Sequence, residues 1–211
     1  MMPGKLITLE GIEGAGKSTA RQFVTEYLTE KGIEVVSTRE PGGTAISEAI
    51  RNVLLSHIEN EVMTAETELL LMFASRAQHV RYRIVPWLEA GKWVISDRYI
   101  DASYAYQGGG RGMDLHLIHL LDQAVVGSVY PALTFLLDIA PAMGMARASS
   151  RGLGKDRIEQ EKLSFFERVR SAYLLRAAAD PARWAVIDAS KTVNQVQYDI
   201  QCHLDRFLVQ D

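Results

Sequence analysis

Residues 6–18 have the sequence LITLEGIEGAGKS, in which a short apolar run is followed by a glycine-rich turn. The turn matches the pattern G-x-x-x-x-G-K-[ST], whose glycines let backbone N–H groups surround a phosphate while the lysine adds a positive charge. The run before such a turn is a strand and the segment after it is a helix, whose N-terminus faces the anion. This stretch therefore predicts an α/β fold that binds a nucleotide through its phosphates.

Outward from this turn, short β-branched runs alternate with longer segments of helical periodicity. The predicted strands are residues 6–9, 33–37, 93–96, 133–137 and 185–187. The predicted helices are residues 17–31, 46–55, 65–90, 115–126, 141–150, 163–179 and 193–209. Because the strands are apolar at nearly every position, we predict a parallel five-stranded sheet flanked by helices. Together with the glycine-rich turn after the first strand, this predicts a three-layer fold of the P-loop NTPase type. Ligands of such sheets bind beyond the C-terminal ends of the strands.

Composition restricts the class of protein further. The 211 residues are 47% apolar and 23% charged, which is typical of a single globular domain covering residues 1–211. A net charge of −3 argues against a protein that coats nucleic acid, and no apolar run approaches the roughly 18 residues that span a membrane. The single cysteine, Cys202, cannot form an internal disulfide, which favours a reducing, cytoplasmic location.

Two positions near the turn suggest a second substrate. Glu13 places a carboxylate inside an anion-binding loop, where it either points into water or accepts a hydrogen bond from a sugar hydroxyl. Asp97 and Arg98 follow the third strand and so lie at the same edge of the sheet. Asp97 could hold a water of Mg²⁺ or orient Arg98 or Lys17, and Arg98 could bind a phosphate. A surface ion pair is the alternative for both residues.

Several motifs together resemble the bacterial thymidylate kinase family, in its branch with a basic lid. They are LEGIEGAGKS (9–18), TREPGGT (38–44), DRY (97–99), AYQGGGRG (105–112) and DRIEQE (156–161). The resemblance implies a nucleoside monophosphate kinase that transfers the γ-phosphoryl of ATP to dTMP, giving dTDP and ADP for dTTP synthesis. It also implies Mg²⁺ as cofactor, a homodimer, and a small mobile lid at about residues 148–158.

The resemblance assigns roles on the ATP side of the site. The implied ATP-binding residues are Gly11, Ile12, Glu13, Gly14, Ala15, Gly16, Lys17, Ser18, Thr19 and, stacking on adenine, Arg147. Ser18 and Asp97 are the implied Mg²⁺ residues. Since Ala15 lacks the basic side chain that one branch of the family has in the loop, the lid must supply positive charge. Lys17, Arg98, Arg151 and Arg157 are the implied catalytic residues.

On the dTMP side, Glu13 would bind the 3′-hydroxyl, and the implied phosphate-binding residues are Arg39, Arg51 and Arg98. Arg51 could equally belong to a solvated helix face. The base would contact Arg76, Ser103, Tyr106 and Gln107, and either Phe73, which we favour, or Met72. Gly108–Gly110 predicts a hinge or a close approach of two backbones.

Two other functions fit the glycine-rich turn alone. One is another small nucleotide or nucleoside kinase, with dUMP, dCMP or a shikimate-like acceptor, and only the residues around Arg76 and Gln107 oppose it. The other is a nucleotide-dependent regulatory switch. A GTPase switch would need N-K-x-D and D-x-x-G motifs, and the sequence contains neither.

Overall fold

The computed structural model describes residues 4–149 and 156–209 and has a parallel five-stranded sheet in the order β2-β3-β1-β4-β5 at its centre. The strands are β1 (Leu6–Glu10), β2 (Val35–Arg39), β3 (Trp93–Asp97), β4 (Leu133–Asp138) and β5 (Trp184–Asp188). The predicted fold class is confirmed. Because β1 lies between β3 and β4, the glycine-rich turn emerges at the middle of the sheet edge.

Helices pack on both faces of the sheet. They are α1 (Lys17–Glu30), α2 (Ala45–Leu55), α3 (Ala65–His79), α4 (Val85–Glu89), α5 (Ile100–Ser103), α6 (Leu115–Val125), α7 (Pro141–Ser149), α8 (Leu163–Ala179) and α9 (Val193–Val209). One cluster of buried apolar side chains joins the sheet to α1, α8 and α9, and a second joins it to α3 and α6. The sheet is therefore the middle of three layers.

Two predicted elements differ from the structure by more than one residue. The second strand begins at Val35, two residues late, because the N–H of Ile33 bonds to the carbonyl of Leu28 at the end of α1. The single helix predicted for residues 65–90 is interrupted by a π-helical segment, Val80–Ile84. Pro86 follows this segment and lacks the N–H that a regular helical turn requires, so the ladder is broken there.

A second π-helical segment, Tyr104–Gly110, contains the glycine run. A Cβ on Gly109 would lie 2.5 Å from the Cβ of Ala172, and one on Gly110 would lie 2.5 Å from a ring carbon of Phe165. The glycines therefore allow this segment to pack closely against α8, as the close-approach interpretation requires. Of the predicted lid, residues 150–155, including Arg151, lie outside the described residues.

Candidate active site

The glycine-rich turn connects β1 to α1 with backbone angles that need glycine. Gly14 has φ 76°, and a Cβ there would lie 2.0 Å from the carbonyl oxygen of Gly144. Lys17 donates from Nζ to the carbonyl oxygens of Gly11 (3.0 Å) and Ile12 (2.9 Å), so its charge is held at the loop. Burial lowers the pKa of Lys17 to about 8, and the positive charge of Arg98 acts in the same direction. Bound phosphate would favour the charged form of this lysine.

Arg98 connects the turn to the third strand. Its backbone has φ 67°, a conformation unusual for a residue with a side chain. From there its guanidinium donates to Glu13 at 2.7 Å and to the carbonyl oxygen of Gly11 at 2.9 Å. The hydroxyl of Tyr106 donates to the second carboxylate oxygen of Glu13 at 2.8 Å. The loop carboxylate that stood out in the sequence is thus held by an arginine and a tyrosine.

This network determines the charge of Glu13. Burial opposes ionisation of the carboxyl, but the positive charges of Arg98 and Lys17 outweigh it and lower the pKa of Glu13. Both of its oxygens already accept one hydrogen bond each, and a carboxylate can accept about four. Glu13 therefore keeps capacity for one more donor, such as a hydroxyl.

A cleft of about 730 Å³ opens above the turn. It is lined by many of the residues that the sequence singled out: Glu13, Gly14, Gly16, Lys17, Ser18, Thr19, Arg39, Arg51, Asp97, Arg98 and Arg147. Ser18 and Thr19 are exposed at the N-terminus of α1, where unpaired amides and the helix dipole favour anions. The fold therefore gathers cations and helix amides around one space.

Arg39 and Arg51 meet at the wall of this cleft. Arg39 pairs with Glu48 at 2.9 Å, and Arg51 donates to the carbonyl oxygen of Pro41 at 2.9 Å. Burial and the nearby positive charge of Arg39 lower the pKa of Arg51. Arg51 is therefore a partly buried cation beside another cation, and not part of a solvated helix face. Two neighbouring cations in a cleft wall favour the binding of an anion.

A second, smaller cavity adjoins the cleft. Glu13, Glu40, Arg51, Arg98 and Asp156 line both spaces. The smaller cavity alone is lined by Pro41, Leu55, Met72, Ala102, Tyr106, Gln107 and Ile158. Apart from the charged residues that it shares with the cleft, its walls are thus largely apolar, as the surroundings of a flat base would be.

The structure places Met72, and not the favoured Phe73, at the smaller cavity. Phe73 is 2% exposed and packs in the core between α3 and the sheet, with its ring 5.0 Å from the Arg76 guanidinium. Met72, one residue earlier, lines the cavity instead. Successive residues of a helix point about 100° apart, so only one of the two can face the cavity.

Arg76 and Ser103 lie beneath the cavity and do not line it. Arg76 is 1% exposed, and it donates to Glu40 (2.7 Å), to the hydroxyl of Ser103 (2.8 Å) and to the carbonyl oxygen of Tyr99 (2.8 Å). Glu40 also contacts Nδ1 of the buried His79 at 2.9 Å. Burial opposes its ionisation, but Arg76 and His79 outweigh this effect and lower the pKa of Glu40.

The predicted lid and adenine residues are separated in the structure. Arg147 lines the large cleft and donates to the carbonyl oxygen of Ala189 at 2.7 Å, next to a small cavity that Val193 and Val196 also line. Arg157 does not line the large cleft: it donates to the carbonyl oxygen of Leu54 and pairs with Glu68 at 2.7 Å. Of the two predicted basic positions, Arg147 thus lines the large cleft and Arg157 does not.

The sequence did not identify three buried side chains that form hydrogen bonds around the site: Glu40, Glu68 and Tyr173. Glu40 lies within the TREPGGT motif, so its position there was the available signal. Glu68 is an acidic residue on the buried face of α3. Tyr173 lies within α8, outside any motif. Only the packing of α3 and α8 brings these two to the site.

The described residues contain no group of three or more acidic, histidine or cysteine side chains that could hold a metal. None of the described helices is long and apolar enough to cross a membrane. Asp138, the last residue of β4, forms a bidentate ion pair with Arg170 at 2.7 and 2.8 Å.

Comparison with known proteins gives a consistent result. The thymidylate kinase family model matches residues 9–200. Thymidylate kinase from Chromohalobacter salexigens is 51% identical over 204 residues, 97% of this chain and 96% of that protein. The enzyme of the same name from Pseudomonas fluorescens is 52% identical over 98% of both chains. The crystal structure of thymidylate kinase from Ehrlichia chaffeensis superimposes with a TM-score of 0.77, at 36% identity, over 96% of this chain and 99% of that one.

Proposed function

The chain belongs to the thymidylate kinase family and phosphorylates dTMP with ATP, and from this premise we propose that its two adjoining cavities hold the two substrates end to end. The observation that carries this placement is the shared wall. Glu13 and Arg98 line both spaces, so a phosphate in the cleft and a nucleoside in the smaller cavity meet at one point. The whole chain, residues 1–211, then acts as one nucleoside monophosphate kinase domain.

ATP is proposed to bind along the glycine-rich turn. Residues 11–16 and Thr19 would surround the phosphates, and Lys17 would move from the loop carbonyls to the β- and γ-phosphates. Arg147 would stack on adenine beside the apolar side chains of α9.

The dTMP phosphate is proposed to lie among Arg39, Arg51 and Arg98. Three arginines offset the repulsion between a dianionic acceptor and the ATP polyanion. The sugar 3′-hydroxyl would donate to Glu13, which retains room for one more hydrogen bond. Met72 would contact the base together with Tyr106 and Gln107, while Arg76 and Ser103 would support the base from below.

The transfer needs positioning and charge neutralisation more than proton transfer. A dTMP phosphate oxygen attacks the γ-phosphorus in line and ADP leaves; since the attacking phosphate is already ionised at neutral pH, no strong general base is required. Lys17 and Arg98 stabilise the negative charge that develops on the transferred group. Arg151, outside the described residues, is the proposed lid cation, and Arg157 would have to leave Glu68 to take the same role.

Mg²⁺ fits the donor set as a phosphate-held ion. Ser18 and Asp97 both line the cleft, and Mg²⁺ in phosphoryl-transfer sites uses one or two protein oxygens together with substrate phosphates and waters. Ser18 would ligate it directly and Asp97 through a water. When bound, the ion would neutralise charge on the β- and γ-phosphates.

A coupled assay of ADP release tests this function. With ATP and Mg²⁺ present, dTMP should support turnover far better than dCMP, dUMP or shikimate. A nucleotide switch would instead hydrolyse ATP slowly and at the same rate without any acceptor. Release of ADP that does not depend on dTMP would contradict the proposed function.

We further propose that the protein is a cytoplasmic homodimer. Helix α3 packs against both α2 and α6, and these three helices keep exposed apolar side chains: Ile46, Val53, Leu70, Leu115, Leu117 and Leu120. A face of this kind is usually covered by a partner. Light scattering coupled to gel filtration should give twice the 23.5 kDa chain mass, and Leu70→Glu should shift it toward the monomer.

A further inference from the structure

The side-chain amide of Gln107 has a defined orientation. Gln107 is 1% exposed, lines the smaller cavity, and donates from Nε2 to Glu68 at 2.8 Å. Its Oε1 is buried and has no hydrogen-bond partner among the described residues. A buried acceptor without a partner is costly, and one in the wall of a cavity therefore points to a ligand that supplies a donor.

Glu68 determines this orientation because an ionised carboxylate can only accept hydrogen bonds. It also accepts from Arg111 at 2.9 Å and pairs with Arg157 at 2.7 Å. Burial opposes ionisation of Glu68, but the hydrogen bonds from Arg111 and Gln107 outweigh this effect and lower its pKa. The NH₂ group of Gln107 must then face Glu68, which leaves the unpartnered oxygen as the polar atom that this residue of the cavity wall can offer to a ligand.

We propose that Glu68 is a positioning residue that makes Gln107 present an acceptor, so that the cavity selects a base edge carrying an N–H group. This inference rests on the proposed placement of the nucleoside in the smaller cavity. A thymine ring carries such an N–H between its two carbonyls, whereas a cytosine ring has an acceptor at the same ring nitrogen. Glu68 would thus select between the two bases without contacting either.

Glu68→Gln tests the proposal because it is nearly isosteric. Glu68 Oε2 meets both Arg111 (2.9 Å) and Arg157 (2.7 Å), whereas Oε1 accepts from Gln107 (2.8 Å) and, at a longer 3.2 Å, from Arg111. The new amide therefore places its oxygen at the position shared by the two arginines and turns its NH₂ toward Gln107. Gln107 must then reverse and present its own NH₂ to the cavity. We expect the ratio of kcat/KM for dTMP to that for 5-methyl-dCMP to fall by about tenfold or more, in line with the cost of mismatched buried polar groups.

Arg111→Gln is the matched control. This substitution removes the ion pair between Arg111 and Glu68, but Glu68 remains an ionised acceptor paired with Arg157. Arg111 lines neither the large cleft nor the smaller cavity. The substitution should lower stability while leaving the dTMP to 5-methyl-dCMP ratio within about twofold of the unchanged protein. An equal fall in both variants, or no fall in Glu68→Gln, would overturn the positioning role. If the unchanged protein did not phosphorylate dTMP at all, the proposed function itself would be refuted.

NMR on the unchanged protein provides a test that does not depend on the variants folding. With the Gln107 resonances assigned by their loss in Gln107→Leu, thymidine should shift the side-chain carbonyl carbon of Gln107. Its NH₂ protons should remain protected and nearly unshifted, because they face Glu68. A large shift of the NH₂ protons with an unmoved carbonyl would mean that Gln107 presents its donor, contrary to the proposal.

Discussion

Replacing Glu10 with glutamine should remove a large pH dependence from the stability of the fold. Glu10 ends β1 directly before the glycine-rich turn and is fully buried. It accepts the N–H of Tyr99 at 2.8 Å and the hydroxyl of Tyr173 at 2.7 Å. Burial, reinforced by the negative charge of Asp101, raises the pKa of Glu10 from 4.5 to about 7.

The sign follows from proton binding. Between pH 4.5 and pH 7 the folded chain retains the Glu10 proton while the unfolded chain has lost it, so the free energy of unfolding falls as pH rises. At about 1.4 kcal/mol per pH unit, this interval corresponds to about 3 kcal/mol. A glutamine cannot titrate, and its amide can still accept from Tyr99 and donate to Tyr173. The free energy of unfolding of Glu10→Gln, measured relative to that of the unchanged protein, should therefore rise by about 3 kcal/mol between pH 4.5 and pH 8.

Urea unfolding followed by circular dichroism at several pH values from 4.5 to 8 measures this difference. Altered hydrogen bonds could add a pH-independent difference in unfolding free energy between the two proteins. This constant cancels, because only the change of that difference with pH is compared. Glu30→Gln, at an exposed position at the end of α1, is the matched control and should show a flat difference. If the difference for Glu10→Gln also stays constant within about 0.5 kcal/mol, the buried-carboxyl explanation is wrong.

Further substitutions test the site and its supports. Lys17→Ala should abolish dTMP-dependent ADP release without lowering the melting temperature, and near-normal turnover would contradict the phosphate-binding role of the turn. Met72→Ala should raise the KM for dTMP, whereas Phe73→Ala should cost about 3–5 kcal/mol of stability in a urea titration; the reverse pattern would restore Phe73 as the base contact. Gly109→Ala should lower stability by about 1–3 kcal/mol because its Cβ would overlap Ala172, and an unchanged urea midpoint would argue against that close packing.

Local sequence patterns were sufficient to predict much of the fold. The glycine-rich turn specifies its backbone angles through residues without a Cβ, and the apolar strands specify burial on both faces of a sheet. Arg98 and Asp97 could be placed at the sheet edge because they directly follow a strand. The predictions for strand β2 and for the helix over residues 65–90 were less accurate, because the hydrogen bond from Ile33 to the end of α1 and the position of Pro86 set these elements in the structure.

Which side chain faces a cavity depends on the rotation of each helix against its neighbours, and no local pattern specifies that rotation. Met72 and Phe73 are adjacent apolar residues of α3, and only the packing of α3 on the sheet turns Phe73 into the core. Glu68 and Gln107 lie 39 positions apart, so their hydrogen bond exists only once the π-helical segment has packed beside α3. Motifs thus identified the chemistry, and tertiary packing decided which atoms perform it, because side-chain direction is set by contacts distant in sequence.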